Sequence, residues 1–178
     1  MSRQPHKEEE QIEALIANAN HYRIEKKWDQ AIASYQKALR LKMIDLDPRH
    51  PDHAFILNDL GRCFEEKKDW GNALDFHERC LAARSEALHD DMPQIARSRM
   101  RIGVCLEMLH RKEAALDQYN QAFAIYEFRF GIEHENSQAA LGSFLKLGAE
   151  LEGCTVEELW KKLKEHTEGK ASSEQSPS

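Results

Sequence analysis

The chain has 178 residues, 41% of them hydrophobic and 31% charged, with a formal net charge of −6. That apolar share is enough for one ordinary core and excludes a chain disordered throughout, while the acidic balance excludes a general nucleic-acid binder, which would be basic. No run of about 18 apolar residues exists to span a membrane, and the acidic start around Glu8-Glu9-Glu10 carries no signal or transit pattern, so a cytoplasmic protein is expected.

In chain order the hydrophobic spacing predicts helices over 8–25, 29–46, 51–67, 71–89, 93–109, 112–130, 135–151 and 155–167, each with apolar positions at i, i+3, i+4 and i+7. Residues 1–7 and the polar stretch 168–178 lack core-forming side chains and are expected to be disordered, which leaves one domain over 8–167. Asp29 is the expected N-cap of the second helix. Pro51 and Pro93 suit the first turn of a helix, where a missing N–H costs little. Thr155 and Glu158 have the spacing of a capping box at the start of the last helix.

Sliding the chain by 42 residues superposes it on itself. Tyr22, Trp28, Ala31, Tyr35 and Ala38 fall on Phe64, Trp70, Ala73, His77 and Cys80, and then on Leu106, Lys112, Ala115, Tyr119 and Ala122. Ala19, Gly61 and Gly103 keep the same spacing. The small residues mark where two helices cross closely, and the large ones fill the space beside them. Each copy therefore reads as a helix hairpin, joined by polar turns such as Glu25-Lys26-Lys27, Glu66-Lys67-Lys68-Asp69 and His110-Arg111. A fourth, divergent pair carries Leu141, Phe144, Leu145, Gly148, Leu159 and Trp160, and its charged outer face suits the end of a stack.

This pattern resembles the tetratricopeptide repeat family, through Leu57, Leu60-Gly61, Phe64, Ala73, Cys80 and Leu81 in the second copy. The period of 42 exceeds the family's usual ~34, and the run His50-Pro51-Asp52-His53-Ala54 followed by Leu57-Asn58-Asp59-Leu60-Gly61 is similar to the kinesin light chain subtype. The resemblance implies an all-α solenoid of antiparallel helix hairpins, three full repeats plus a C-terminal capping pair. It also implies a module that binds a protein or peptide partner with the first helices of the pairs.

Helical spacing puts Asn20 and Arg23 of the first copy on that face, with Asn58, Asp59 and Arg62 of the second. Arg97, Met100, Arg101 and Val104 of the third and Lys146 of the fourth complete it. This face is net basic within an acidic protein, and Arg97 and Arg101 at i and i+4 can reach one ligand. Arginine forks suit carboxylates and asparagine amides suit an extended backbone, so an acidic or carboxylate-bearing peptide is the expected ligand. The competing reading has these arginines paired with neighbours such as Glu65 and Glu107. The family also contains co-chaperones with a carboxylate clamp. Asn20, Arg97 and Arg101 match clamp slots, whereas Ile16 and Asp59 do not.

No phosphate-binding glycine loop and no nucleophile elbow occurs, so no enzymatic activity is expected. Cys63 and Cys105 share one repeat slot and read as packing, as does Cys80 in an alanine slot. Trp28 and Trp70 share another slot and read the same way. His50 and His53 lie in a helix junction without a cysteine pair at zinc spacing, so neither metal nor cofactor is expected. Phe55, Phe128, Phe130 and Ile132 leave a self-associating scaffold open as the alternative.

Overall fold

A computed structural model describes residues 5–44, 50–87 and 93–174. Within them lie α1 (Pro5–Ile24), α2 (Trp28–Lys42), α3 (Ala54–Glu66, entered through a 3-10 turn at Pro51–His53), α4 (Trp70–Ala87), α5 (Pro93–Met108), α6 (Lys112–Phe130), α7 (Glu135–Glu152) and α8 (Val156–Glu174). No strand occurs among the described residues. Helices consecutive in the chain make the main contacts, as in a stack of hairpins.

The repeat is visible atom by atom in the turns inside each hairpin. Lys26, Lys68 and His110 adopt φ of 57°, 62° and 58°. The following amides of Lys27, Asp69 and Arg111 donate to the carbonyls of Tyr22, Phe64 and Leu106, at 2.8, 3.0 and 2.8 Å. This is a Schellman-type helix end, and it turns the chain sharply enough for the second helix to fold back.

The crossings follow from side-chain size. A Cβ on Gly61 would lie 2.4 Å from the His77 ring, and one on Gly103 would lie 2.5 Å from the Tyr119 ring. Ala19 holds the same slot in the first hairpin and is fully buried, as is Tyr35. Ala31, Ala73 and Ala115 are fully buried, and so are Ala38, Cys80 and Ala122. Phe64 stacks on Phe76 with ring centroids 5.4 Å apart. One apolar interior runs through the stack: Phe64 packs against both the α1–α4 cluster and the next one, and Phe123 reaches the cluster of the final pair.

Four details depart from the sequence reading. Asp29 is not a cap: α2 starts one residue earlier, its N-cap is Lys27, and no side chain caps it. Asp29 lies in the first turn and pairs with Lys67 instead. Lys146 was placed by the 42-residue register, but the fourth hairpin, divergent as expected, leaves it: its close approach is at Gly148, whose added Cβ would lie 2.9 Å from Leu159. The last helix extends to Glu174, because no proline interrupts it and one glycine, Gly169, costs a helix only about 1 kcal/mol. Likewise α1 begins at Pro5; the remaining positions of the two expected tails, 1–4 and 175–178, lie outside the described residues. The capping box is formed as spaced: Glu158 accepts from the Thr155 amide at 2.8 Å, and Thr155 Oγ1 accepts from the Glu158 amide at 3.2 Å.

Candidate functional site

A polar contact crosses each hairpin between a first-helix residue and the residue twelve positions later. The Arg23 guanidinium lies beside the Tyr35 hydroxyl, Glu65 Oε1 lies 3.0 Å from His77 Nε2, and Tyr119 Oη donates to Glu107 Oε2 at 2.9 Å. The large ring sits over the small crossing residue, and its polar tip emerges at the edge of the first helix. The packing that closes the hairpin thus also orients a charged side chain toward one face.

On that face α1, α3 and α5 enclose two recesses. The first, about 440 Å3, is lined by Arg23, Ile24, Lys26, Trp28, Arg62, Glu65, Glu66 and Arg101. The second, about 390 Å3, is lined by Glu65, Glu66, Lys68, Trp70, Arg97, Met100, Arg101 and Val104. Glu65, Glu66 and Arg101 belong to both, so the recesses form one trough. Its walls carry Arg23, Lys26, Arg62, Lys68, Arg97 and Arg101 against the carboxylates of Glu65 and Glu66.

The structure brings Arg23, Arg62, Arg97 and Arg101 together on this trough, and with them Met100 and Val104. Asn20 and Asn58 sit in a polar layer rather than on the lining. Tyr35 Oη donates to Asn20 Oδ1 at 2.6 Å, and the Asn58 amide donates to Asp59 Oδ1 at 3.2 Å. Asp59 is only 3% exposed, so its placement on the open face is corrected: it anchors that layer, accepting also from Arg62 at 3.5 Å. Lys146 is exposed on α7 and lines neither recess.

Several arginines are partly engaged. Arg101 Nη1 donates to Glu65 Oε2 at 2.7 Å, and the Arg97 guanidinium lies near the Tyr126 hydroxyl. Burial alone would lower the Arg23 guanidinium, but Tyr35 and Asp59 outweigh it and hold its pKa above the ordinary value. The buried Nε atoms of Arg23 and Arg101 have no hydrogen-bond partner. Burial would likewise raise the Glu65 carboxyl, yet the His77 and Arg101 contacts hold it below its ordinary value. Glu65 therefore stays ionised between the two recesses.

Sequence reasoning missed Trp28 and Trp70 as lining. Both are half-buried, packing into the core with one side and bordering the trough with the other. Their shared repeat slot at the start of a second helix was the available signal. The cysteines behave as packing residues: burial first, then Asp59 or Glu65, pushes the Cys63 thiol up to about 11 and Cys105 to about 12. Such thiols are poor nucleophiles at neutral pH.

A family model described as "Tetratricopeptide repeat" matches residues 10–86 and again 65–127. No curated protein matches the sequence. Among solved structures, the chain is similar to a Podosopora anserina kinesin light chain-type protein of nearly identical TPR-like repeats. That likeness has 16% identity, covers 86% of this chain and 73% of that one, and has a TM-score of 0.70. It is also similar to the N-terminal domain of stress-induced protein-1 from C. elegans, at 18% identity, 80% and 98% coverage, and TM-score 0.59. A third likeness is the first TPR of Spaghetti bound to the HSP90 peptide SRMEEVD, at 18% identity, 80% and 94% coverage, and TM-score 0.58.

Proposed function

The chain belongs to the tetratricopeptide repeat family, and from that premise we propose that it is a protein-interaction module whose trough holds an acidic, carboxylate-bearing peptide segment. The observation that carries this reading is the convergence of Arg23, Arg62, Arg97 and Arg101 on one continuous recess of an otherwise acidic protein. Guanidinium forks bond both oxygens of a carboxylate, and the Arg62 and Arg101 side chains stay 41% and 30% exposed at the trough. Met100 and Val104, with the faces of Trp28 and Trp70, add apolar surface for side chains of the same segment.

Glu65 and Asp59 already neutralise part of this charge, so a ligand must compete for Arg101 and Arg62. An affinity on the order of micromolar follows for a short extended peptide, which also loses entropy on binding. The carboxylate clamp is the weaker version of this reading. Asn20 is already occupied by Tyr35, and Asp59 places a buried negative charge where the clamp needs an amide. The HSP90 peptide bound by the first TPR of Spaghetti, SRMEEVD, nevertheless has the chemistry that this trough would favour.

The test is fluorescence anisotropy with a labelled SRMEEVD peptide, beside a copy with its acids changed to amides and its C-terminus amidated. Wild-type protein is expected to bind the acidic peptide, more weakly as salt rises. Arg62→Glu with Arg97→Glu should weaken that binding at least ~10-fold, about 1.4 kcal/mol, with unchanged helicity by circular dichroism. Equal binding of the neutral copy, or indifference to the double substitution, refutes the reading.

A self-associating scaffold is the second reading, favoured by Phe128 at 76% and Phe55 at 57% exposure. Light scattering decides it, since a molar mass that stays monomeric over a hundredfold concentration range excludes that role.

A further inference from the structure

Beneath the trough, three donor side chains of different type meet. One ligand atom each from Glu65, His77 and Cys105 lies within 4.8 Å of the other two, and no other group of three such residues does so among the described residues. They come from α3, α4 and α5, and thus from two adjacent hairpins. His77 and Cys105 are buried, while Glu65 opens onto both recesses. We propose that Glu65, His77 and Cys105 form a divalent metal site, with zinc as the best-matched ion, that clips the second hairpin to the third.

The repeat itself argues that these residues exceed the needs of packing. The equivalent positions are Arg23, Tyr35 and Cys63 in the first copy, and Glu107, Tyr119 and Leu147 in the third. Only the second copy assembles three ligating groups. Tyr119 packs on Gly103 as His77 packs on Gly61, so a histidine is not what the crossing requires. Intervals of 12 and 28 residues match no zinc motif, so spacing alone gives no sign of a metal site here.

The donor set selects the ion. A thiolate and an imidazole suit zinc, and the single carboxylate disfavours copper(I), which prefers soft donors alone. Zinc bonds of about 2.0 to 2.3 Å put neighbouring donors under ~4 Å apart, so side-chain rotations of ~1 Å close the set. Glu65 Oε1 faces His77, whereas Oε2 is held by Arg101 at 2.7 Å. The carboxylate can therefore bind metal through Oε1 while Arg101 orients it from behind, the usual role of an outer-shell partner. A water from the recess completes four-coordination.

Binding balances as a proton exchange. The Cys105 thiol loses its proton to solvent and enters as thiolate. His77 enters neutral through the Nε2 lone pair with its proton on Nδ1, and Glu65 enters already ionised. One proton leaves per ion when His77 is neutral beforehand, and two leave when it is charged. Affinity therefore rises with pH.

The experiment titrates the full, chelator-treated and reduced chain with cobalt(II), followed by zinc(II). A thiolate-to-cobalt charge-transfer band that saturates at one equivalent, bleaches on zinc addition and persists in Cys154→Ser is expected. Cys105→Ser and His77→Tyr should each abolish it, and zinc should raise the melting temperature of the wild type and of Cys154→Ser but not of those two variants. His77→Tyr keeps the test decisive if Cys105→Ser fails to fold, because it copies the Tyr119–Gly103 packing. Absence of the band, its survival in His77→Tyr, or its loss in Cys154→Ser overturns the proposal.

Discussion

Side-chain volume at single positions decides how close the helices come. Gly61→Ala and Gly103→Ala each drive a methyl into a ring that cannot retreat, and each is expected to destabilise the fold by about 1–3 kcal/mol in urea titration. Gly142→Ala, in the interior of α7 with nothing within 4 Å, is expected to gain about 1 kcal/mol instead. Glu65 shows the electrostatic counterpart. Because its folded pKa is depressed, it contributes stability above its unfolded value of ~4.3 that is lost as pH falls through the folded value. Glu65→Gln should therefore cost about 1–3 kcal/mol at neutral pH. The gap to wild type should close on acidification, as thermal melts across a pH series will test. The crossing residues were legible from spacing alone. Glu65 was expected to pair with an arginine as an intrahelical neighbour; that its partner is Arg101 of the next repeat was not legible, because packing alone selects those rotamers.

At the scale of the helix, ends matter more than middles. Three turns force a residue with a Cβ into left-handed backbone, at Lys26, Lys68 and His110, and none of the three is glycine. Lys68→Gly and His110→Gly should each stabilise the chain by about 1 kcal/mol, visible as a raised urea midpoint with unchanged slope. The start of α8 carries the formed capping box, so Thr155→Ala should cost about 1 kcal/mol. Hydrogen exchange should place that loss in α8 first. The cap at Thr155 was readable because a capping box is local chemistry. Asp29 misled for the same reason: its side chain had a longer-range partner in Lys67, which competes with capping and lies 38 positions away.

For the whole molecule, neighbour-only contacts make stability divisible. Leu159→Ala removes the side chain seated on Gly148 and should cost about 2–5 kcal/mol. Amide exchange should quicken in α7 and α8 while α3 and α4 stay protected, since each hairpin leans only on the next. The same arrangement produces the trough. Side chains of α1, α3 and α5 face one another there only because the hairpins stack in register. The sequence by itself determined the helices, the hairpins, the family and the arginines of the open face. These follow from periodicity and side-chain size, which repeat in one dimension. Only the tertiary structure decided that Asp59 is buried, that Lys146 stands apart, that the tryptophans border the recess, and that Glu65, His77 and Cys105 converge. Those outcomes depend on how one helix is rotated against a helix from another repeat. That rotation is set by the sum of many small packing contacts, and no short stretch of sequence encodes it.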